Sequence, residues 1–213
     1  MRALVCLPTY NEIKSIEIMI DRIKDLKLDL ILCDQDSTDG TIEKARSKDI
    51  PIYQREGCGK GWGVRRALAI AKEKEYDFLV MIDCDCTYLP EEIPSLLKFI
   101  KDYDMVVGRR DMKAIQFSHR IVNIFHTLLV NLFFGSRLGD INSGLRAMRV
   151  EKFVDLLDAK GFDIEAEIST KAVKHNFRIK EVPIKYRKRI GNSKIKPGDT
   201  FRIARRILIE RFK

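Results

Sequence analysis

The chain has 213 residues, 45% of them hydrophobic and 33% charged, with a formal net charge of +9. That is enough for one sizeable core in a folded soluble chain, and the positive balance favours anionic partners: nucleic acid, phosphorylated substrates or an acidic bilayer. Five scattered cysteines (Cys6, Cys33, Cys58, Cys84 and Cys86) argue against a disulfide framework. Cys84 and Cys86 also stand too close for a CxxC redox pair, so the set reads mostly as small buried residues in a reducing compartment. The opening MRALVCLPTYNE is too short in its apolar part for a signal peptide, and no apolar run approaches the ~20 residues of a membrane span. The longest candidate, Ile121 to Phe134, contains Asn123, His126 and Asn131, and reads as a core or interfacial helix.

In chain order, Ala3 to Leu7 is a short apolar run ending at Pro8, hence a buried strand. Helical spacing follows from Ile13 to Leu26, then a strand from Leu28 to Cys33 that ends at Asp34. STDGT supplies a turn and the start of a helix over Ile42 to Ser47. Ile50 to Tyr53 is a third strand. Gly57, Gly59, Gly61 and Gly63 make a flexible loop leading into a helix through Ala71, and Phe78 to Ile82 is a fourth strand with Asp83 at its carboxyl end. This alternation predicts an open α/β fold with a mostly parallel central sheet flanked by helices, whose ligands sit beyond the carboxyl ends of the strands. Pro8, Asp34 and Asp83 all fall there. The second half brings a strand at Met105 to Val107, a long irregular helix from Gln116 to Phe134, and a loop then strand in GDINSGLRAMR. A helix over Phe162 to His175, a late strand over Ile179 to Tyr186, a basic loop and a final helix from Thr200 complete it. No linker separates the halves, so one domain spanning 1–213 is expected.

MIDCDCTYLPEEI carries two aspartates one residue apart, Asp83 and Asp85. On a strand both would project to one side, where two carboxylates repel and gain from a cation between them. Magnesium or manganese suits such oxygen donors and can keep waters and phosphate oxygens as further ligands. The bland reading is a solvated loop leading into a helix, with Glu91 and Glu92 in its first turn. Zinc is disfavoured, because His119, His126 and His175 are not at diagnostic spacing.

The ordered set of motifs resembles the family-2 glycosyltransferases of GT-A fold, in particular dolichyl-phosphate mannose synthases and related polyprenyl-phosphate sugar transferases. LPTYNE resembles the first-strand nucleotide motif, CDQDSTDGT the second-strand motif and DCDC the DxD. SGLRAMR resembles an acceptor-region segment, and EVPIKYRKRIGNSKI the ending of this branch. The resemblance spans nearly the whole chain. It implies a donor nucleotide and metal half over approximately 1–104 and an acceptor half over 105–213. Pro8, Tyr10, Glu12 and Asp34 then line the donor nucleotide, Lys60 sits in a loop covering it, and Asp83 and Asp85 surround the metal and diphosphate. Arg109, Arg120, Asp140, Ser143, Arg189, Ser193 and Lys194 fall on the acceptor side. Of these, Arg109, Arg120, Arg189 and Lys194 join the two aspartates around the reacting groups. Gln35 and Asp36 depart from the family's aspartate and glycine, and Thr87 stands where mannose synthases often have glutamine. Without the resemblance, Lys60, Arg109 and Arg120 would read as solvated charges, Asp140 equally as a loop-ordering residue, and Asp39 as a turn or cap residue.

The implied reaction is inverting transfer of a hexose, mannose from GDP-mannose before glucose from UDP-glucose, to dolichyl or another polyprenyl phosphate, with Mg2+ or Mn2+. The nucleophile is already an anion, so no strong general base is needed. A lipid acceptor implies a peripheral place on the cytoplasmic membrane face, with a membrane protein as a further partner. Phe117, Ile121, Ile124, Phe125, Leu128, Leu129, Leu132 and Phe133 make one apolar helical face for such a surface, or for core packing. The rival classes are a nucleotidyltransferase, a non-catalytic scaffold with a decayed site, and a nucleic-acid-binding module. The last is weakened by the acidic pair and by the lack of aromatics among the basic residues.

Overall fold

The computed structural model describes residues 1–213, apart from the side chain of Pro197. Seven strands build one sheet: β1 (Ala3–Thr9), β2 (Asp29–Asp34), β3 (Ile52–Gln54), β4 (Phe78–Met81), β5 (Met105–Arg110), β6 (Arg146–Arg149) and β7 (Ile179–Ile184), in the order β3-β2-β1-β4-β6-β5-β7. Neighbours run parallel except at β6, which is antiparallel to both β4 and β5. That one reversal lets strands from both halves of the chain share a single sheet.

Both faces of the sheet are covered, which is why its strands read as apolar runs. Along β1 the side chains alternate. Val5 and Leu7 enter one core with Ile16, Met19, Ile20 and Ile23 of α1 (Ile16–Asp25), on the side of α2 (Thr41–Arg46) and α4 (Ile93–Leu97). Leu4 and Cys6 enter the other core with Val64, Ala67 and Leu68 of α3 (Lys60–Glu73), joined by Phe153 of α6 (Val150–Phe153) and Ile164 of α7 (Ile164–Lys174). Four cysteines are buried there as small apolar residues, and Cys58 is exposed.

Three helices differ from expectation for local reasons. Helix α3 starts at Lys60, inside the stretch read as a loop, because a Cβ at Gly61 would lie 2.3 Å from the Ala159 carbonyl: glycine lets the first turn dock on 159–161. Helix α8 (Pro197–Phe212) starts three residues early, with Asp199 accepting from the Lys196 amide at 2.8 Å. Helix α5 (Phe117–Phe134) is unbroken where irregularity was expected, and stops at Gly135 in a left-handed conformation.

The orientation of α5 is the reverse of a soluble helix. Its buried residues are Asn123, His126, Thr127 and Val130, while Phe117, Ile121, Ile124, Phe125, Leu128 and Leu132 are exposed, Leu132 to 77%. Two of the inward polar groups are bonded: Asn123 donates to Asp140 at 3.1 Å, and His126 Nε2 lies 3.1 Å from the Thr200 carbonyl of α8, while the Thr127 hydroxyl has no partner among the described residues. Leu129 and Phe133 pack on the small core between α5, α7 and α8.

Candidate functional site

The exits of β1, β2 and β4 converge, as the parallel register requires. At the end of β2, Asp34 is 2% exposed. Its carboxylate accepts from the Ser37 amide and hydroxyl, both at 2.7 Å, and from Thr9 at 2.8 Å. Three of its roughly four acceptor positions are thereby taken. Asp34 also edges a cavity of about 440 Å³ at the ends of β2 and β3, shared with Asp36, Arg46, Ile52 and Gln54. Gln54 donates to Asp36 at 2.6 Å, and Asp36 is a non-glycine residue at φ +52°. Gln35 accepts from the Gly59 amide at 2.8 Å, tying this exit to the glycine-rich turn before α3. Asp39 acts as the turn residue expected, accepting from the Thr41 amide at 3.1 Å and the Ile13 amide at 3.0 Å.

The paired aspartates each hold a cation. Asp83 is bonded to Lys60, which is also bonded to Glu165 in the first turn of α7. Burial would lower the Lys60 pKa, but the charges and hydrogen bonds of Asp83 and Glu165 hold it above the usual lysine range. Asp85 is clamped on one oxygen by the Thr87 amide at 3.0 Å and hydroxyl at 2.5 Å. Its other oxygen takes Arg189, whose Nε donates at 2.9 Å. Burial opposes the Arg189 charge, and Asp85 raises its pKa nonetheless. Glu12 is raised by burial, against the opposing pull of Lys194, which bonds both its carboxylate and the Asn11 carbonyl. The basic segment after β7 therefore lies across the strand exits. Its backbone is pinned there by the Ile190 and Arg187 amides on the Asp85 and Thr87 carbonyls, both at 2.9 Å.

The second half supplies the wall. A Cβ on Gly144 would sit 2.1 Å from an Asp83 oxygen, so a side chain there would push the carboxylate from its place against the SGLR segment. Its amide also donates to the Tyr88 hydroxyl at 2.7 Å. Arg146, fully buried, holds this segment by donating to the Ser143 and Ile141 carbonyls and to the Glu165 carbonyl of α7.

The structure corrects three sequence expectations. Asp140 is not open to an acceptor: Arg110 grips it bidentately at 2.7 and 2.8 Å, and it orders its loop. Ser143 is fully buried and donates to the Gly108 carbonyl at 2.5 Å. Lys60 belongs to the first turn of α3 and not to a covering loop. Arg109 is exposed at the end of β5, while Arg120 stacks on Phe117 at 5.2 Å in α5, with no contact to the aspartate pair among the described residues. Tyr10 and Ser193 are exposed beside the exits and the basic segment, and Pro8 lies within β1. Sequence reasoning missed Arg55, whose buried guanidinium joins the Cys33 and Gly59 carbonyls; of the two acidic residues in the first turn of α7, Glu165 and not Glu167 reaches the site. The signal available for Glu165 was its place in the first turn of a helix flanked by glycine and aspartate.

The donor set of Asp83 and Asp85 is all oxygen, and in this structure both carboxylates already draw positive charge, so the residues fit a hard divalent cation. A second acidic cluster, Asp158, Glu167 and Glu210, brings ligand atoms within 4.8 Å of one another, but Lys171 and Arg206 already pair with it.

This strand order, with carboxylates and cations gathered at the strand exits, defines a GT-A glycosyltransferase fold. Residues 4–157 match the model of glycosyl transferase family 2, and the chain belongs to that family. It is 30% identical to an undecaprenyl-phosphate mannosyltransferase of Micrococcus luteus, over 93% of this chain and 89% of that one. It is 34% identical to a dolichyl-phosphate hexose transferase of Haloferax volcanii, over 91% and 86%. Among solved structures it is similar to glucosyl-3-phosphoglycerate synthase from Mycobacterium tuberculosis, in a complex with Mn2+ and uridine-diphosphate-glucose. The TM-score is 0.81 and the identity 25%, over 99% of this chain and 78% of that one. The likeness thus reaches beyond mannose synthases to a glucosyltransferase acting on a small phosphate-bearing acceptor.

Proposed function

We propose that the chain transfers a hexose from a nucleoside-diphosphate sugar to a phosphate-bearing lipid, releasing the nucleoside diphosphate. The observation that carries this reading is the aspartate pair held by Lys60 and Arg189 at the strand exits, with Lys194 on the neighbouring Glu12. The donor half, approximately 1–104, would seat the base and ribose near Tyr10, Asp34 and the cavity at the ends of β2 and β3. Asp83 and Asp85 would hold Mg2+ or Mn2+, which when bound offsets the charge of the diphosphate. Lys60 and Arg189 add fixed positive charge there, where it helps the leaving group most. The acceptor phosphate is already an anion, so its oxygen attacks the anomeric carbon without a general base and inverts it. Arg109, Arg189, Ser193 and Lys194 would grip that phosphate, Arg bidentately and Lys as a point charge.

Of the two donors, UDP-glucose is now better supported than GDP-mannose, because the similar solved structure holds it. The lipid nature of the acceptor rests on the sequence relatives and on α5. A helix with Asn and His inside and Phe, Ile and Leu outside suits an apolar neighbour, and exposed Phe201, Leu208 and Phe212 of α8 extend the apolar surface. Arg120, Arg137, Arg202 and Arg211 supply charge for an anionic bilayer, so the protein would lie peripherally on a membrane. No helix is long and apolar enough to cross one among the described residues.

The test is a turnover screen of UDP-glucose and GDP-mannose against a polyprenyl phosphate and 3-phosphoglycerate, with Mn2+ or Mg2+ and mass spectrometry of the products. A hexosyl-phosphate lipid is the expected product, with UDP-glucose as the better donor. Transfer to 3-phosphoglycerate alone would overturn the lipid assignment. Release of inorganic diphosphate, leaving a nucleotide on the product, would replace sugar transfer with nucleotidyl transfer.

A further inference from the structure

We propose that Glu165 is a positioning residue that shares the Lys60 ammonium with Asp83, and so keeps Asp83 available to a divalent cation. This rests on Asp83 being a metal carboxylate. Glu165 comes from α7, in the other half of the chain, and shares the Lys60 ammonium with Asp83. Its side chain is 8% exposed, that of Lys60 10% and that of Asp83 27%, so the lysine is enclosed and the aspartate has an open edge. The Glu165 backbone is fixed: its carbonyl accepts from Ser169 Oγ at 2.8 Å and from Arg146 at 3.3 Å. It cannot swing away without breaking the buried arginine's network.

Charge arithmetic gives the consequence. Asp83, Glu165 and Lys60 sum to −1, so the triad still attracts a cation. With Glu165 neutral, Lys60 and Asp83 would sum to zero and form a closed pair, and a divalent ion would have to displace the ammonium outright. That displacement would strand a buried charge without a counter-ion. With Glu165 present, Lys60 retains a partner when Asp83 turns to the metal, and stays at the site as a point charge for a diphosphate. The other acidic candidates lack this arrangement: Glu167 is already saturated by backbone amides and Lys171, and Asp140 by Arg110.

The test is Mn2+ affinity, read by electron paramagnetic resonance of the free ion with UDP present, in the full chain and five variants. Glu165→Gln is expected to weaken Mn2+ binding roughly tenfold, the scale of one neighbouring charge. Glu165→Asp should stay near the parent. Lys60→Met should bind Mn2+ more tightly, and Lys60→Met/Glu165→Gln should recover the affinity that Glu165→Gln loses, which a merely structural role would not produce. Unchanged affinity in Glu165→Gln, or no recovery in the double variant, would overturn the proposal. If Glu165→Gln does not fold, Lys60→Met decides, with unchanged or weaker binding overturning it. Asp85→Ala separates the two readings. If it binds Mn2+ like the parent, the metal assignment fails, whereas lost binding in Asp85→Ala with none lost in Glu165→Gln defeats this inference alone.

Discussion

Two clusters of carboxylates and cations in this molecule look alike on paper and differ in what they can do. Around Glu167, the carboxylate is fully buried and accepts from the Asp158 and Ala159 amides as well as from Lys171, with Arg206 bridging Asp158, Asp163 and Glu210. Glu167 and Glu210 are buried, Asp158 is half exposed but held by Arg206 and Lys171, and the cluster ties α7 to α8. Around Asp83 and Asp85, the cations come from the start of α3 and from the segment after β7, and Asp83 keeps an open edge. Ion pairing is common to both. The difference is location: the second group lies where parallel strands end and backbone pairing stops, and Asp83 there keeps an edge open to a ligand.

Substitutions can break or sharpen that contrast. The largest effect is expected from Asp85→Ala, which should cost about 10³-fold or more in turnover, the several kcal/mol that a metal site supplies. It also strips Arg189 and the Thr87 amide of their partner, so its melting temperature should fall by several degrees with the chain still folded at the assay temperature, which a calorimetric scan checks. Glu167→Ala should do the opposite, costing about 3 kcal/mol of stability by leaving Lys171 and Arg206 underpaired, with turnover per folded molecule preserved. A urea titration beside an activity assay reads both. Arg189→Ala is expected to remove about 2 kcal/mol of charge-assisted bonding at the strand exits, seen as a 10- to 30-fold loss in kcat/KM with lipid acceptor.

Smaller effects probe the helix surface. Leu128→Glu should weaken binding to anionic phospholipid vesicles roughly tenfold, on the scale of removing one buried aliphatic side chain, without lowering stability. Sedimentation with vesicles tests this, and equal binding would return the α5 face to a role within the protein. The smallest effect is a pH slope. Burial lowers the His126 pKa below its unfolded value of about 6.5, so the unfolded chain takes up a proton more readily. Its contribution to stability is complete above that value and is lost as pH falls through the lower folded value. His126→Gln should flatten the stability profile on the acid side of neutrality.

The alternation of strands and helices was legible because fully buried parallel strands leave unbroken apolar runs, as in LVCL and FLVM. The convergence of Pro8, Asp34 and Asp83 followed from that alternation alone. What the sequence hid was pairing across distance. Nothing local to Lys60 announces Glu165, 105 residues away, and Asp140 reads as a free carboxylate until Arg110 is folded against it. In the sequence, helix α5 stands open between a surface role and core packing for another reason. Its periodicity gives an apolar face, but periodicity does not say which face is inward, and buried Asn123 and His126 decided that through bonds to Asp140 and α8. The glycines of GCGKGWG read as a flexible loop, yet Gly61 is a site of close backbone approach, as is Gly144 of SGLR.

The most direct measurement is hexosyl transfer to a polyprenyl phosphate by the parent chain, Asp85→Ala and Glu167→Gln, compared per folded molecule in one Mn2+-containing reaction with product identified by mass spectrometry. Product from the parent and from Glu167→Gln, with none from Asp85→Ala, is the predicted result. Undiminished product from Asp85→Ala would contradict the assignment of the chemistry to the strand exits.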